Sequence, residues 1–451
     1  MAEVTPHKIL PMKPLLRILL LLLLPAALLA QPVAPPAVRP PADVATELVD
    51  RLAKGDFQAA ASNFADAMRA AAPPEKLSEI WTALQTQMGA YKRRTGVRTE
   101  KQGFYEVALV TAEFERATVD FKVVVDDAGR VAGFFIVPPR QPGSQAEYAP
   151  PAYVHKEAFK ERDVTVGAGD WALPGTLALP AGAGPFPAVV LVHGSGPNDR
   201  DESVGAEKPF RDLAWGLASR GVAVLRYEKR TREHGSKLGA VKDFTVQQET
   251  VDDALATADL LRHTAGIDPK RIFVLGHSLG AMMVPRIGQR DAGLAGLIVM
   301  AGATRPLEDI ILEQVTYLAG ADGTVTDAEK KQIESLRAEV AKVKALKPGE
   351  SGVALGAPAS YWLDLRGYNP PEAAKSLKQS LLVLQGGRDY QVTPDSLEAW
   401  KKALPKATFK LYPKLNHLFI EGEGKSLPQE YEKPAHVADE VIADIAAWIK
   451  R

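Results

Sequence analysis

The first third of the chain changes from helical periodicity to strand periodicity. Between Asp43 and about Met88, apolar side chains recur three or four positions apart, which predicts three helices, the third starting at Pro74. After Gly96 the period becomes two, and strands are predicted at residues 104–110, 117–125 and 131–137. Helices followed by an antiparallel sheet predict a small α+β domain over residues 43–138.

From residue 153 to residue 451, short apolar runs alternate with helical stretches. Residues 164–166 and 176–179 flank a Gly-rich turn and predict an antiparallel hairpin. Strands buried on both faces are predicted at residues 188–192, 222–225, 271–275, 297–300, 381–385 and 408–412. With helices between them, they predict an α/β fold with a doubly wound, mostly parallel sheet. The active site of such a sheet lies beyond the carboxyl ends of its strands.

A long insertion, about residues 304–378, separates two of these strands. Helical patterns at residues 307–318, 327–346 and 361–365 predict a helical lid over the strand ends. Tyr361, Trp362 and Tyr368 are candidates either for lining an acyl pocket or for packing the lid.

The first residues have the pattern of a secretory signal. Lys8, Lys13 and Arg17 precede an apolar run at residues 18–29, and cleavage is predicted after Ala30. The run is short for a membrane span, so no stable span is expected after cleavage, although an uncleaved anchor is the alternative. Pro-rich residues 31–42 and residues 139–152 are predicted linkers. We therefore expect a secreted or periplasmic bacterial protein.

Composition narrows the chemistry. Of 451 residues, 55 are Lys or Arg and 55 are Asp or Glu, so no charge excess favours nucleic acid as a partner. The chain has no cysteine, which excludes disulfides and a cysteine nucleophile. No His, Asp or Glu spacing is typical of a metal site, so no metal is expected.

Gly276-His277-Ser278-Leu279-Gly280 lies between a predicted strand and a predicted helix. Gly-x-Ser-x-Gly in that context is typical of a nucleophile elbow, which predicts Ser278 as a nucleophile. His277 cannot reach the neighbouring serine as a base, so we assign it to packing.

An activated serine needs a base and a group that orients the base. Asp389 follows the strand at residues 381–385, and His417 follows the strand at residues 408–412. Both loops open at the same sheet edge as Ser278, so Asp389 is the predicted acid and His417 the predicted base.

An ester carbonyl under attack develops negative charge that backbone amides can stabilise. One predicted donor to this oxyanion hole is the N–H of Leu279, directly after the nucleophile. The other is the N–H of Ser195 in the Gly-rich loop after the strand at residues 188–192.

Further motifs carry a family resemblance. Residues 191–202 (LVHGSGPNDRDE), 208–210 (KPF) and 225–230 (LRYEKR) closely resemble α/β-hydrolase carboxylesterases of the dienelactone-hydrolase-like and prolyl-oligopeptidase-like branch. The resemblance covers about residues 155–451. It implies an α/β-hydrolase fold, ester hydrolysis of short or medium acyl chains and no cofactor, and it supports Ser278, Asp389 and His417. It also implies that Asp199, Arg200 and Asp201 brace their loop. Where these families usually have Asp before Lys-Arg, this chain has Glu228.

The order of elements in residues 43–138 resembles cystatin-like domains that precede secreted bacterial hydrolases. The leading interpretation is therefore a secreted serine carboxylesterase acting on a small-molecule ester. A peptidase or acyl-aminoacyl hydrolase of the same fold is the alternative, and a non-catalytic binding protein is a second one. The sequence leaves the oligomeric state open.

Overall fold

A computed structural model describes residues 39–65, 68–69, 72–102, 105–126, 128–137, 148–238, 241 and 243–451. The predicted signal peptide (1–30) and most of the two predicted linkers lie outside these residues. No helix in the described ranges is long and apolar enough to cross a membrane.

The N-terminal part contains helices packed on a four-stranded sheet. Its helices are α1 (Pro41–Ala53), α2 (Phe57–Ala61) and α3 (Pro74–Met88), as the periodicity predicted. The sheet is an antiparallel meander of β1 (Tyr91–Gln102), β2 (Tyr105–Phe114), β3 (Thr118–Val125) and β4 (Val131–Val137). The helical apolar positions and the alternate strand positions form one core around Trp81, Phe114 and Phe121.

Two details of this part differ from prediction. Helix α1 begins at Pro41, inside the predicted linker 31–42, because proline is well suited to the first turn of a helix. Strand β1 begins at Tyr91, before the change of period at Gly96, and was not predicted. It is an edge strand whose Arg93 and Arg94 remain exposed and pair with carboxylates, so it lacks an alternating apolar pattern.

The remaining strands belong mainly to one eight-stranded sheet in the order β14-β13-β10-β9-β7-β8-β6-β5. The antiparallel hairpin of β5 and β6 forms one edge, and the other six strands pair in parallel, which confirms the predicted sheet. The separate pair β11 and β12 lies in the insertion. Their bounds are β5 Phe159–Val166, β6 Leu173–Pro180, β7 Phe186–Val192, β8 Ala223–Tyr227, β9 Ile267–His277, β10 Gly296–Met300, β11 Val353–Ala354, β12 Ala357–Pro358, β13 Ser380–Gly386 and β14 Thr408–Tyr412.

Helices cover both faces of this sheet. Neighbouring residues of one strand, such as Val189 and Val190, pack into two different apolar clusters, which explains the unbroken apolar runs. The helices that follow α3 are α4 Pro209–Ala218, α5 Arg230–Glu233, α6 Gly235–Leu238, α7 Asp252–Arg262, α8 Leu279–Arg290, α9 Leu307–Ala319, α10 Asp327–Ala345, α11 Ala359–Leu365, α12 Pro370–Ala374, α13 Asp395–Ala403 and α14 Asp439–Ile449. A π-helical turn, Gln247–Val251, precedes α7.

The insertion between β10 and β13 is helical, as predicted. It contains α9, α10 and α11 close to their expected bounds, and also the short α12, which the periodicity did not indicate. Thr326 and Glu329 form a reciprocal capping box that starts α10. Trp362 is buried and donates to the Ala354 carbonyl oxygen at 2.7 Å, so it packs the insertion.

Candidate active site

Ser278 lies on a sharp turn between β9 and α8, with φ 54° and ψ −114°. A Cβ on Gly276 would lie 2.4 Å from the Gly280 backbone, and a Cβ on Gly280 would lie 2.2 Å from the Val192 oxygen. Both positions therefore require glycine. The strained serine and its two crowded glycines have the geometry of a nucleophile elbow.

His417 and Asp389 are joined as the chain order predicted. The Nδ1 atom of His417 lies 2.7 Å from Asp389 Oδ2, and both side chains are buried. The other carboxylate oxygen of Asp389 accepts the backbone N–H groups of Gln391 (2.8 Å) and Val392 (2.9 Å). These bonds fix the carboxylate so that it orients the imidazole.

The loop that carries His417 is held by its neighbour. Asn416 Oδ1 accepts the N–H groups of Leu418 and Ile420, and Asn416 Nδ2 donates to Glu430. This anchoring limits how far the imidazole can move away from Asp389.

Ser278 and His417 line the same cavity, which has a volume of about 220 Å³. Ser195 and Leu279, the predicted oxyanion-hole residues, also line it. No hydrogen bond joins Ser278 Oγ to His417 in the part of the chain that the structure describes. The apolar wall contains Leu279, Met282, Ala303, Leu307, Ile310, Ile311, Val392 and Leu418.

The insertion supplies part of this wall through α9, which contributes Leu307, Ile310 and Ile311. Gln314, one turn further along α9, donates to the Gln391 carbonyl oxygen at 3.1 Å and ties the helix to the loop after Asp389. Tyr361, Trp362 and Tyr368 are not among the described residues that line the cavity, so of the two expected roles they take lid packing.

The loop after β7 is held at Gly194 from two sides. Its N–H donates to Glu202 Oε1 at 2.6 Å, and its carbonyl oxygen accepts from Lys229 Nζ at 2.7 Å. A Cβ on Gly194 would lie 3.1 Å from the Ser278 Cβ, so glycine allows this close approach. The peptide next to Ser195 is therefore fixed beside the nucleophile.

Two buried ion pairs supply these contacts, and sequence reasoning missed both. Glu202 Oε2 lies 2.9 Å from Nδ1 of His277, and neither atom has any other polar partner among the described residues. Lys229 pairs with Glu249 at 3.1 Å, and Glu249 accepts the Tyr361 hydroxyl at 2.8 Å. The predicted packing role of His277 is confirmed by its ring contacts with Phe210 and His417, but it is incomplete, because a buried imidazole is a hydrogen-bonding group as well as an apolar one.

The sequence offers one signal for the residues of these ion pairs, namely the position of two of them within charged motifs. Glu202 and Lys229 lie in the DRDE and YEKR motifs, and charged side chains there were interpreted as loop braces or local contacts. Which charge faces which partner depends on how β7, β8 and β9 lie side by side.

The predicted braces Asp199, Arg200 and Asp201 contact protein groups, as expected. Arg200 donates to Glu228 at 2.7 Å, and Asp201 accepts from Arg226 at 2.8 Å. Asp199 Oδ1 accepts the N–H groups of Asp201 and Ser203. Glu228, the residue that departs from the family pattern, is thus the partner of Arg200.

No group of three or more His, Asp or Glu side chains in the described ranges could hold a metal ion. The site consists of a serine, an imidazole–carboxylate pair, backbone amides and an apolar wall. Together these groups are suited to acyl transfer through a serine.

Comparisons with known proteins identify the relatives of this chain. The sequence profile of the alpha/beta hydrolase family matches residues 189–431, and a profile described as "Protein of unknown function (DUF3887)" matches residues 45–134. Esterase EstD of Thermotoga maritima is 40% identical over 405 residues, which cover 89% of this chain and 93% of that protein.

Solved structures with a similar fold include two esterases. Est1E from Butyrivibrio proteoclasticus is 14% identical with a TM-score of 0.42, covering 64% of this chain and 98% of its own. The esterase of Pyrobaculum calidifontis is 16% identical with a TM-score of 0.43, covering 64% of this chain and 83% of its own.

Proposed function

The chain belongs to the alpha/beta hydrolase family, and on that premise we propose that it is a serine carboxylesterase for short to medium acyl chains. The observation that carries the proposal is the Asp389–His417 pair, whose histidine lines one cavity with the strained Ser278. The 40% identity to a protein named as an esterase supports ester hydrolysis.

In the proposed reaction, Ser278 Oγ attacks the ester carbonyl carbon while His417 Nε2 takes the hydroxyl proton. Asp389 holds the imidazole through Nδ1 and stabilises its charged form. The new oxyanion accepts the N–H groups of Leu279 and Ser195. His417 then gives its proton to the leaving alcohol, and an acyl-enzyme remains. A water molecule, deprotonated by His417, attacks the acyl carbon and releases the acid and Ser278.

The size of the cavity supports the proposed acyl preference. About 220 Å³ is below the range of about 300–1,000 Å³ typical of larger ligand pockets. Met282, Ile310 and Val392 give it an apolar wall. Each methylene buried there contributes about 0.8 kcal/mol until the cavity is full. We therefore expect the affinity for the ester to rise with the length of the acyl chain until the chain fills the cavity, and not to rise further.

The test is hydrolysis of p-nitrophenyl acetate, butyrate and decanoate, with Ser278→Ala as the control. We expect butyrate to exceed decanoate in kcat/KM and Ser278→Ala to lose at least about three orders of magnitude in kcat. A fluorophosphonate should attach to Ser278 and leave the Ala variant unlabelled. Ester turnover that survives in Ser278→Ala would contradict the serine mechanism. Faster cleavage of an aminoacyl-p-nitroanilide than of any ester would favour the peptidase alternative.

The proposal includes export to a bacterial periplasm or exterior. Its support is the basic segment, the apolar run at residues 18–29 and the small residue Ala30. The absence of cysteine is compatible with an oxidising compartment, since no thiol is open to oxidation there. The mature protein would begin at Gln31.

A further inference from the structure

Both ring nitrogens of the buried His277 face an oxygen. Nδ1 lies 2.9 Å from Glu202 Oε2, and Nε2 lies 3.0 Å from the backbone oxygen of His417. His277 is 4% exposed and Glu202 3% exposed, so both contacts lie in a largely buried environment.

These contacts determine how many protons the pair needs. The His417 carbonyl oxygen can only accept, so Nε2 must carry a proton. Glu202 already accepts the Gly194 N–H with Oε1, so the carboxylate serves as an acceptor at both oxygens when it is ionised. With Glu202 ionised, a neutral imidazole, which has one N–H, would leave one of its two contacts without a proton. The arrangement is satisfied when His277 is an imidazolium and Glu202 a carboxylate.

Electrostatics favour the same state. Burial opposes the charged imidazole, but the Glu202 carboxylate, the His417 carbonyl oxygen and Asp389 together outweigh burial and raise the pKa of His277 above its usual value. Burial also opposes the carboxylate, but its contacts, chiefly the one with His277, together outweigh burial and lower the pKa of Glu202.

The other titratable groups near the pair are Asp389, His193, Lys229 and the proposed base His417, whose ring centroid lies 4.7 Å from that of His277. Asp389 acts on His277 and favours its charged form. His193 acts on Glu202, and burial lowers the pKa of His193 to about 4, so it is neutral at pH 7. Lys229 lies on the opposite side of Gly194 and has its own counterion, Glu249.

The pair also connects the parts that must meet during catalysis. Glu202 holds the N–H of Gly194, which precedes the proposed oxyanion donor Ser195. His277 holds the backbone of the proposed base His417 and directly precedes the proposed nucleophile Ser278. One buried ion pair therefore links the oxyanion loop, the elbow and the base loop.

The backbone at Glu202 is strained in the conformation that brings its side chain to Gly194 and His277. Glu202 has φ 51°, a left-handed conformation that costs a residue with a side chain about 1 kcal/mol or more. Such strain persists where the surrounding contacts determine the conformation, and at Glu202 those contacts are Gly194 and His277.

We propose that His277, protonated and paired with Glu202, is a positioning residue that sets the oxyanion loop and the catalytic base relative to the nucleophile. The proposal rests on the serine esterase function proposed above. It predicts a loss of positioning as the pH rises through the pKa of His277, because the raised pKa keeps the pair intact below that pH. Deprotonation then removes one of its two donors.

Variants of Glu202 separate charge from geometry. In Glu202→Gln, the amide oxygen can accept the Gly194 N–H and the amide nitrogen can donate to a neutral His277. We expect this variant to keep kcat within about fivefold of wild type at pH 7. In Glu202→Leu both contacts are lost, and kcat should fall by about tenfold to a hundredfold with KM within about threefold. Glu398→Gln, at an exposed position, is the matched control.

Histidine-selective ¹⁵N NMR measures the protonation state without using activity. The His277 signals are identified by their loss in His277→Gln, with the exposed His263→Gln as the control. We expect an imidazolium at pH 7 in wild type and a neutral ring with its proton on Nε2 in Glu202→Gln. If His277 loses its proton below pH 10, kcat should fall with the same midpoint in wild type and not in Glu202→Gln.

Several outcomes would overturn the proposal: a neutral His277 at pH 7, a His277 titration that leaves kcat unchanged, or a folded Glu202→Leu with wild-type kcat. If Glu202→Leu does not fold, the protonation state of His277 measured by NMR and the pH profile of kcat in Glu202→Gln still test the proposal. Failure of the serine esterase function is recognised separately, because Ser278→Ala would then keep its ester turnover whatever the state of His277.

Discussion

At the scale of single residues, the chemistry of the site depends on a few side chains whose polar atoms all have hydrogen-bond partners. Asp389 accepts two backbone N–H groups at one oxygen and the His417 imidazole at the other. Gln385 Nε2 lies 3.3 Å from that second oxygen. No water is needed to satisfy this carboxylate, so its geometry is set by the protein alone.

Replacing Asp389 with Asn tests this point. An amide nitrogen placed toward Nδ1 of His417 would favour the imidazole tautomer with its proton on Nε2, which cannot accept the serine proton. We expect kcat for p-nitrophenyl butyrate to fall by about three to four orders of magnitude, while the melting temperature changes by only a few degrees. Asp259→Asn, at an exposed position, should match wild type. An Asp389→Asn variant with more than a tenth of wild-type kcat would rule out Asp389 as the orienting acid.

At the scale of elements, the insertion does more than cover the cavity. Helix α9 supplies part of its apolar wall, whereas α11 reaches the oxyanion loop through a buried chain of contacts. Tyr361 donates to Glu249, Glu249 pairs with Lys229, and Lys229 donates to the Gly194 carbonyl oxygen. The π-helical turn that contains Glu249 directs this carboxylate between the insertion and the sheet.

Tyr361→Phe removes one link of that chain. A buried hydrogen bond to a charged group contributes about 1.5–3 kcal/mol, so we expect a loss of that order in the free energy of unfolding. We also expect a fall of about threefold to tenfold in kcat, because Lys229 is held less firmly on Gly194. Denaturant unfolding and ester kinetics measure the two effects.

The matched control is Tyr153→Phe, which loses a hydroxyl bonded at 2.8 Å to the Val437 carbonyl oxygen on the other face of the sheet. It should lose stability without losing kcat. If both variants lose only stability, the contact of α11 with Glu249 has no role at the site.

At the scale of the whole molecule, the parallel pairing of β7, β9, β13 and their neighbours brings distant segments together. Ser278, Asp389 and His417 follow β9, β13 and β14, which lie within one half of the sheet. Their loops open at the same edge because these strands run in the same direction.

The export proposal also concerns the whole chain. Expressed with its full N-terminus in a Gram-negative bacterium, the protein should appear in the periplasmic or external fraction with Gln31 as its first residue, as determined by N-terminal sequencing. Replacing Leu22 and Leu23 with Asp should keep it inside the cell, because charges interrupt the apolar run. Recovery of the protein in the membrane fraction with its first thirty residues still attached would instead support the uncleaved anchor.

The sequence by itself determined the elements with strong periodicity and the elbow. Apolar runs such as residues 188–192 are buried on both faces and need no tertiary information to be recognised. Gly276 and Gly280 flank Ser278 because no other residue fits the turn, so the motif is local. Strand β1 was not predicted, because an exposed edge strand need not alternate apolar and polar side chains.

Only the tertiary structure decided what the buried charges do. Glu202, Lys229, Glu249 and His277 lie on different segments, and each is satisfied by a residue far away in the chain. Local patterns cannot show such pairing, because it depends on strand order and on strained backbone at a position like Glu202. The sequence therefore determined the groups proposed to carry out the reaction, and the packing of the strands decided which groups hold them in place.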